Sequence, residues 1–227
     1  MPSRKPVPAV LPWLAALAAA PGVLIVAAIA ATRFGGLDLS ISYDLLTWTV
    51  ARGLAWIGLA GALVAAVLAL RDLKGRGVYA AIALILSGVT VGGFLWQQNQ
   101  LSKDTPRDVS TNVEEPPAFA QLADLHRHST FTDPAACPAA RSIPSQVLAQ
   151  QASSALVDAG FPVTRATTFQ VEGVHEGAWF GFAYDAVIRI RPGRTDIRVV
   201  ARDARPDGGA TCRLTAKIVE ALEGELR

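Results

Sequence analysis

Residues 6–32 read PVPAVLPWLAALAAAPGVLIVAAIAAT, 27 residues without a charge between Lys5 and Arg33. A helix needs about 20 residues to cross the hydrocarbon core of a bilayer, so this run is long enough to span. Residues 53–70, GLAWIGLAGALVAAVLAL, add 18 uncharged residues between Arg52 and Arg71, and Leu45, Leu46, Trp48 and Val50 extend them at the front. Residues 77–102 add 26 more, apolar up to Trp96 and then polar through Gln97, Gln98, Asn99 and Gln100. The expected spans are about 7–32, 46–70 and 77–96, with Trp13, Trp48 and Trp96 at the interfaces that amphipathic rings prefer.

The rest of the composition agrees. Of the 227 residues 51% are apolar and 18% charged, and residues 1–103 carry 8 Lys/Arg and 3 Asp/Glu against 13 and 16 in residues 104–227. The apolar excess thus belongs to a membrane domain, 1–103, and the second domain, 104–227, has an ordinary soluble composition. A net charge of +2 gives no basis for bulk binding of nucleic acid, and two cysteines are too few for a disulfide scaffold or a four-thiolate zinc site.

Short segments rich in Lys and Arg stay on the cytoplasmic side. Arg4 and Lys5 precede the first span, and Arg71, Lys74 and Arg76 lie between the second and third, whereas Arg33 and Arg52 between the first two are offset by Asp38 and Asp44. The sequence therefore predicts a bacterial inner-membrane protein with a cytoplasmic N-terminus and a periplasmic C-terminal domain. A cleaved signal peptide over residues 1–31 is the competing reading of the first run, though the run is longer than a usual signal core. The spans hold no ionisable residue away from their ends, so a proton relay or ion path has no marker. Gly88 and Gly92 form a G-x-x-x-G pair and Gly58 with Ala62 a small-residue pair, spacings that suit close helix packing within the chain, in a homo-oligomer or against a partner.

Residues 97–118 read as a polar, proline-containing linker. Beyond it, Ser145–Gly160 and Thr211–Leu226 show helical periodicity, and strands are expected at about Val163–Glu172, Ala178–Arg191 and Thr195–Arg202, the last two joined at Pro192 and Gly193. The expected fold is α+β: a three-helix transmembrane bundle followed by a small antiparallel sheet with helices on one face.

Several blocks of the second domain carry a resemblance. Asp108-Val109-Ser110-Thr111, Pro116-Pro117-Ala118-Phe119, Trp179-Phe180-Gly181-Phe182 with Asp185, Val187-Ile188-Arg189-Ile190 and the Arg-rich strand ending at Arg205 resemble the signature blocks of domain-of-unknown-function family 1499. The resemblance covers roughly residues 104–227 and implies no established activity. Where members typically read S-R-x-G-x-S-D-x-G-x-N, this chain keeps Arg205 but has Ala210 and Leu214 in place of the Asp and Asn.

Three groups of residues invite chemistry. Cys137 and Cys212, placed in an oxidising compartment, are expected to form a disulfide; two separate thiols are the other reading. His126 and His128, with Asp124, Asp133 and Cys137 nearby, are metal-ligand types without a recognised motif and read as a polar loop, as does His175 between Glu172 and Glu176. Strand alternation places Arg189 and Arg191 on one face of their strand and Arg198 and Arg202 on one face of the next, with Arg194 and Arg205 extending the stripe. Guanidinium forks suit phosphate or carboxylate, so anionic lipid headgroups or an acidic membrane-protein partner are the expected contacts. Neutralisation within the domain by Asp185, Glu172, Glu220 or Glu223 is the alternative.

No nucleotide loop, H-E-x-x-H, G-x-S-x-G or complete Ser/His/Asp spacing occurs, and no cofactor or metal is expected. The leading reading is an interaction or accessory subunit of a membrane complex. A small-ligand or anion-binding protein, or a hydrolase using the Arg face, is the alternative.

Overall fold

The computed structural model describes residues 10–70, 73–123, 125–126 and 136–227. The chain forms two compact units, residues 1–99 and 100–227.

The first unit contains helix α1 (Val10–Gly35), a continuous helix whose first part, Ser40–Ala51, is π-helical and whose remainder is α2 (Arg52–Ala69), and α3 (Leu73–Leu101). In the π-helical part Thr47 Oγ1 and Thr49 Oγ1 donate five residues back, to the carbonyls of Ser42 and Asp44. The second span therefore begins six residues before the expected start at residue 46. All three helices are long and apolar enough to cross a membrane.

Their packing is inside-out relative to a soluble bundle. The buried positions of α2 are Ala55, Gly58, Ala62, Ala65 and Ala69, whereas Ile57, Leu63, Val64 and Val67 are exposed. Lipid solvates large apolar side chains as well as a protein core does, so small residues go where backbones approach. A Cβ on Gly58 would stand 3.3 Å from Ala18 Cα and 3.4 Å from the Leu17 carbonyl oxygen.

The second unit is a five-stranded antiparallel sheet in the order β1-β5-β4-β3-β2: β1 Asp108–Ser110, β2 Val163–Ala166, β3 Gln170–Glu176, β4 Ala183–Arg191 and β5 Arg194–Ala201. Helices α4 (Ala149–Asp158) and α5 (Ala210–Glu225) cover one face. Ile188, Ile190, Ile197 and Val199 point to that side and pack with Leu156, Phe161, Ile218 and Leu222 into the main core.

The expected α+β fold is present, with two corrections. The single strand expected over Val163–Glu172 is a hairpin, because Thr167 closes a turn in which its N–H and hydroxyl both donate to the Gln170 carbonyl. Strand β1 lies within the stretch read as linker; its Val109 pairs with Val199. Asp207, two residues before the Gly209 N-cap of α5, accepts from the N–H and hydroxyl of Thr211 at 2.7 and 2.6 Å.

Candidate functional site: a buried polar sheet face and the cleft at its end

The alternation that sends the isoleucines of β4 and β5 toward the helices sends Asp185, Val187, Arg189 and Arg191 of β4 and Arg194, Asp196, Arg198 and Val200 of β5 to the other side. The register places Arg189 opposite Asp196 and Val187 opposite Arg198. Glu172 of β3 and Asp108 of β1 join the same face.

This face is not the open basic stripe expected from the sequence. The irregular segment after β1 covers it: Phe119 packs on Val187 and Val200, and its ring lies 5.5 Å from the Arg198 guanidinium carbon. Under that cover or at its margins, every one of the stripe's arginines meets a carboxylate. Asp196, fully buried, accepts from Arg191 at 2.8 Å, Arg189 at 3.1 Å and Arg194 at 2.6 Å, and from Ser142 Oγ at 3.0 Å. Arg191 also reaches Glu115. Arg198 and Asp108, 5% and 4% exposed, form a two-pronged pair at 3.0 and 2.8 Å, and Arg198 also donates to the Pro117 carbonyl. Arg202 grips Asp185 through Nε and Nη2 at 2.8 and 2.7 Å, and Arg205 pairs with Asp203. Glu172 accepts from the Ala120 and Gln121 N–H groups and from Gln170.

The physical reason is desolvation: guanidinium and carboxylate groups buried in a domain are stable only when paired and fully hydrogen-bonded. Burial pushes the Asp185 carboxyl up, but hydrogen bonds from His126 and Arg202 more than reverse this and hold it below its ordinary range. Burial opposes ionisation of Asp196 too, and Arg189, Arg191 and Arg194 overcome it. Of the expected neutralising acids Asp185 takes that role; the helix acid Glu223 instead pairs with Arg141. Arg191 and Arg194, 33% and 44% exposed at the hairpin tip, keep more solvent contact than Arg198 at 6%.

At the end of the sheet where β5 finishes, a cleft of about 580 Å³ is lined by Asp104, Arg107, Asp108, His126, Arg202 and Asp203, among others. His126, expected in a polar loop, is buried with Nε2 2.7 Å from Asp185 Oδ2 and its ring against Phe119. His128, Asp124 and Asp133 lie outside the described residues. His175 packs on Phe161 and Tyr184, and its Nδ1 meets the Gly160 carbonyl at 2.7 Å. No cluster of three metal-ligating side chains occurs among the described residues.

Cys137 and Cys212 are neighbours and both are free thiols, packed with Val109 and Ala140. Burial, and then the hydrogen bond and charge of Cys137, push the Cys212 thiol up to about 12. In the membrane unit Gly58 and Ala62 face neighbouring helices, whereas a Cβ on Gly88 or Gly92 would meet nothing within 4 Å among the described residues.

An antiparallel sheet with helices on one face and an ion-paired polar layer on the other, behind three apolar helices, defines the class. The profile of the family described as protein of unknown function (DUF1499) matches residues 108–222, half of the chain, and the protein belongs to that family. Asp108, Pro117, Phe119, Asp185 and Arg189, all within the matched range, build or cover the polar layer. The chain matches none of the curated proteins and none of the solved structures.

Proposed function

We propose that the protein is a membrane-anchored accessory module of the bacterial inner membrane, holding its α+β domain in the periplasm as an interaction subunit of a larger membrane complex. The observation that carries this reading is the charge asymmetry around three spanning helices: Arg4, Lys5, Arg71, Lys74 and Arg76 mark one side, and an odd number of crossings sends residues after Leu101 to the other. A reporter active only in the periplasm should work when fused after Arg227 and fail at Lys74; the reverse pattern refutes the orientation. Purification in a mild detergent should bring down a stoichiometric membrane-protein partner, and recovery of the chain alone refutes the accessory role.

In that compartment the adjacent Cys137 and Cys212 form a disulfide, losing two electrons and two protons to the periplasmic disulfide oxidant. The high thiol pKa leaves little thiolate for attack, so a catalyst of oxidation is part of this reading.

The cleft favours a second reading, a small anionic ligand held near Arg107 and Arg202. Titration with glycerol phosphate should raise the melting temperature of the full chain but not that of Arg202→Gln. Equal shifts in both, or none in either, refute it.

A further inference from the structure

The loop Gly177–Phe182 joins β3 to β4 and carries the block Trp179-Phe180-Gly181-Phe182. The Gly177 N–H donates to the Phe182 carbonyl at 2.8 Å, closing the loop, and Gly181 sits at φ 73°, where only glycine is unstrained. Phe180 turns inward, 9% exposed, with its ring 6.4 Å from that of Phe182. Trp179 turns outward and is 71% exposed. A braced loop that spends its inner aromatic on packing and presents a bare indole has a large apolar surface to cover.

Its place in the sheet says by what. Glu176 pairs with Ala183, the Arg202 N–H donates to the Ala183 carbonyl, and the Ala201 N–H donates to the Arg107 carbonyl. These contacts form one row across the end of the sheet, so the loop stands two strand spacings, about 10 Å, from Arg107. Arg107 is the last residue of the connection from α3. Only six residues separate Leu101 from Asp108, which limits their reach to about 20 Å. That connection is further tied down: Thr105 bonds to Asp207 at 3.2 Å and to the Gly209 N–H at 3.0 Å. The exposed Lys103 and Arg107 lie along it. The loop bearing Trp179 thus lies at the same end of the sheet as the short connection that follows α3. Phe169, also strongly exposed at 67%, sits in the β2–β3 turn at the opposite end.

We infer that the loop Gly177–Phe182 seats the domain on the bilayer, with the Trp179 indole lodged in the headgroup interface. Indole rings partition to that zone because one edge is apolar and the N–H is polar. The inference holds on either side of the membrane, so it stands or falls separately from the proposed orientation.

The test uses the full chain in phosphatidylcholine nanodiscs, with Trp13, Trp48, Trp56 and Trp96 replaced by Phe so that Trp179 is the sole indole. Its emission should be blue-shifted, mostly lost when the acyl chains are brominated near the headgroup, and weakly quenched by acrylamide. Adding Phe169→Trp together with Trp179→Phe moves the indole to the far end, where acrylamide should quench it and brominated lipid should not. Trp179 quenched by acrylamide and untouched by brominated lipid overturns the inference, as does shielding from both, which would mean a protein surface covers it. If the fourfold variant does not fold, the difference in lipid quenching between the native chain and Trp179→Phe decides the matter in the same way.

Discussion

Replacing Arg198 by Met keeps most of its volume and removes its charge, leaving Asp108 buried at 4% exposure without the two hydrogen bonds it accepts. Stranding one partner of a buried pair costs about 3–5 kcal/mol. Against a typical domain stability of about 5–15 kcal/mol this is a large share. At 1.4 kcal/mol per factor of ten, amide exchange of β5 limited by global opening should accelerate by about a hundred- to several-thousand-fold. Arg198→Met combined with Asp108→Leu removes both charges, and such apolar replacements of buried pairs are often neutral or stabilising. The double variant should therefore exchange more slowly than Arg198→Met alone. The assay is hydrogen exchange of β4 and β5 amides in the full chain in mild detergent. An acceleration below tenfold for Arg198→Met, or a double variant as destabilised as the single one, would refute the view that this pair is structurally committed.

Three further outcomes are expected. Asp185 and Asp196 have folded-state pKa values below the ordinary 3.8, so the stability they confer is complete above that value and is lost as pH falls from about 4 through their folded values. Acid unfolding of the second domain should thus steepen below about pH 4, and Asp196→Asn should flatten the profile; an unchanged slope contradicts the linkage. Gly58→Leu forces a side chain into the 3.3 Å gap against Ala18 and should lower the melting temperature of the membrane unit, with overpacking of about 1–3 kcal/mol, whereas Gly88→Leu should not. With Cys137 and Cys212 joined, thiol labelling of the unfolded, unreduced chain should be nil, and reduction should cost about 4 kcal/mol in the chain-entropy picture; full labelling without reductant removes the bond.

The parts of the structure that show in the sequence are those set by periodicity. Charge-free runs mark the spans, and alternation in β4 and β5 correctly separates the arginines from the isoleucines. The same alternation places Asp196 between Arg194 and Arg198 on the arginine face, so its position is legible in that strand. Other contacts leave no local trace. Asp108 and Arg198 lie 90 residues apart, and β1 has three residues, too few for any period to register. The cover over the arginines is irregular chain, whose place is fixed by hydrogen bonds such as Ala120 N–H to Glu172 rather than by pattern. His126 resembles a loop histidine until the fold brings Asp185 to it.

The strand order has a consequence for the newborn chain. The first strand to be made, β1, ends the sheet order and pairs with the last, β5, so Asp108 waits for Arg198 while about 90 residues are added. At about 5–20 residues per second that interval is on the order of 5–20 s. Meanwhile β2 to β5 meet through successive hairpins, each closing a short loop soon after it emerges. The first strand made is therefore the last to be locked in.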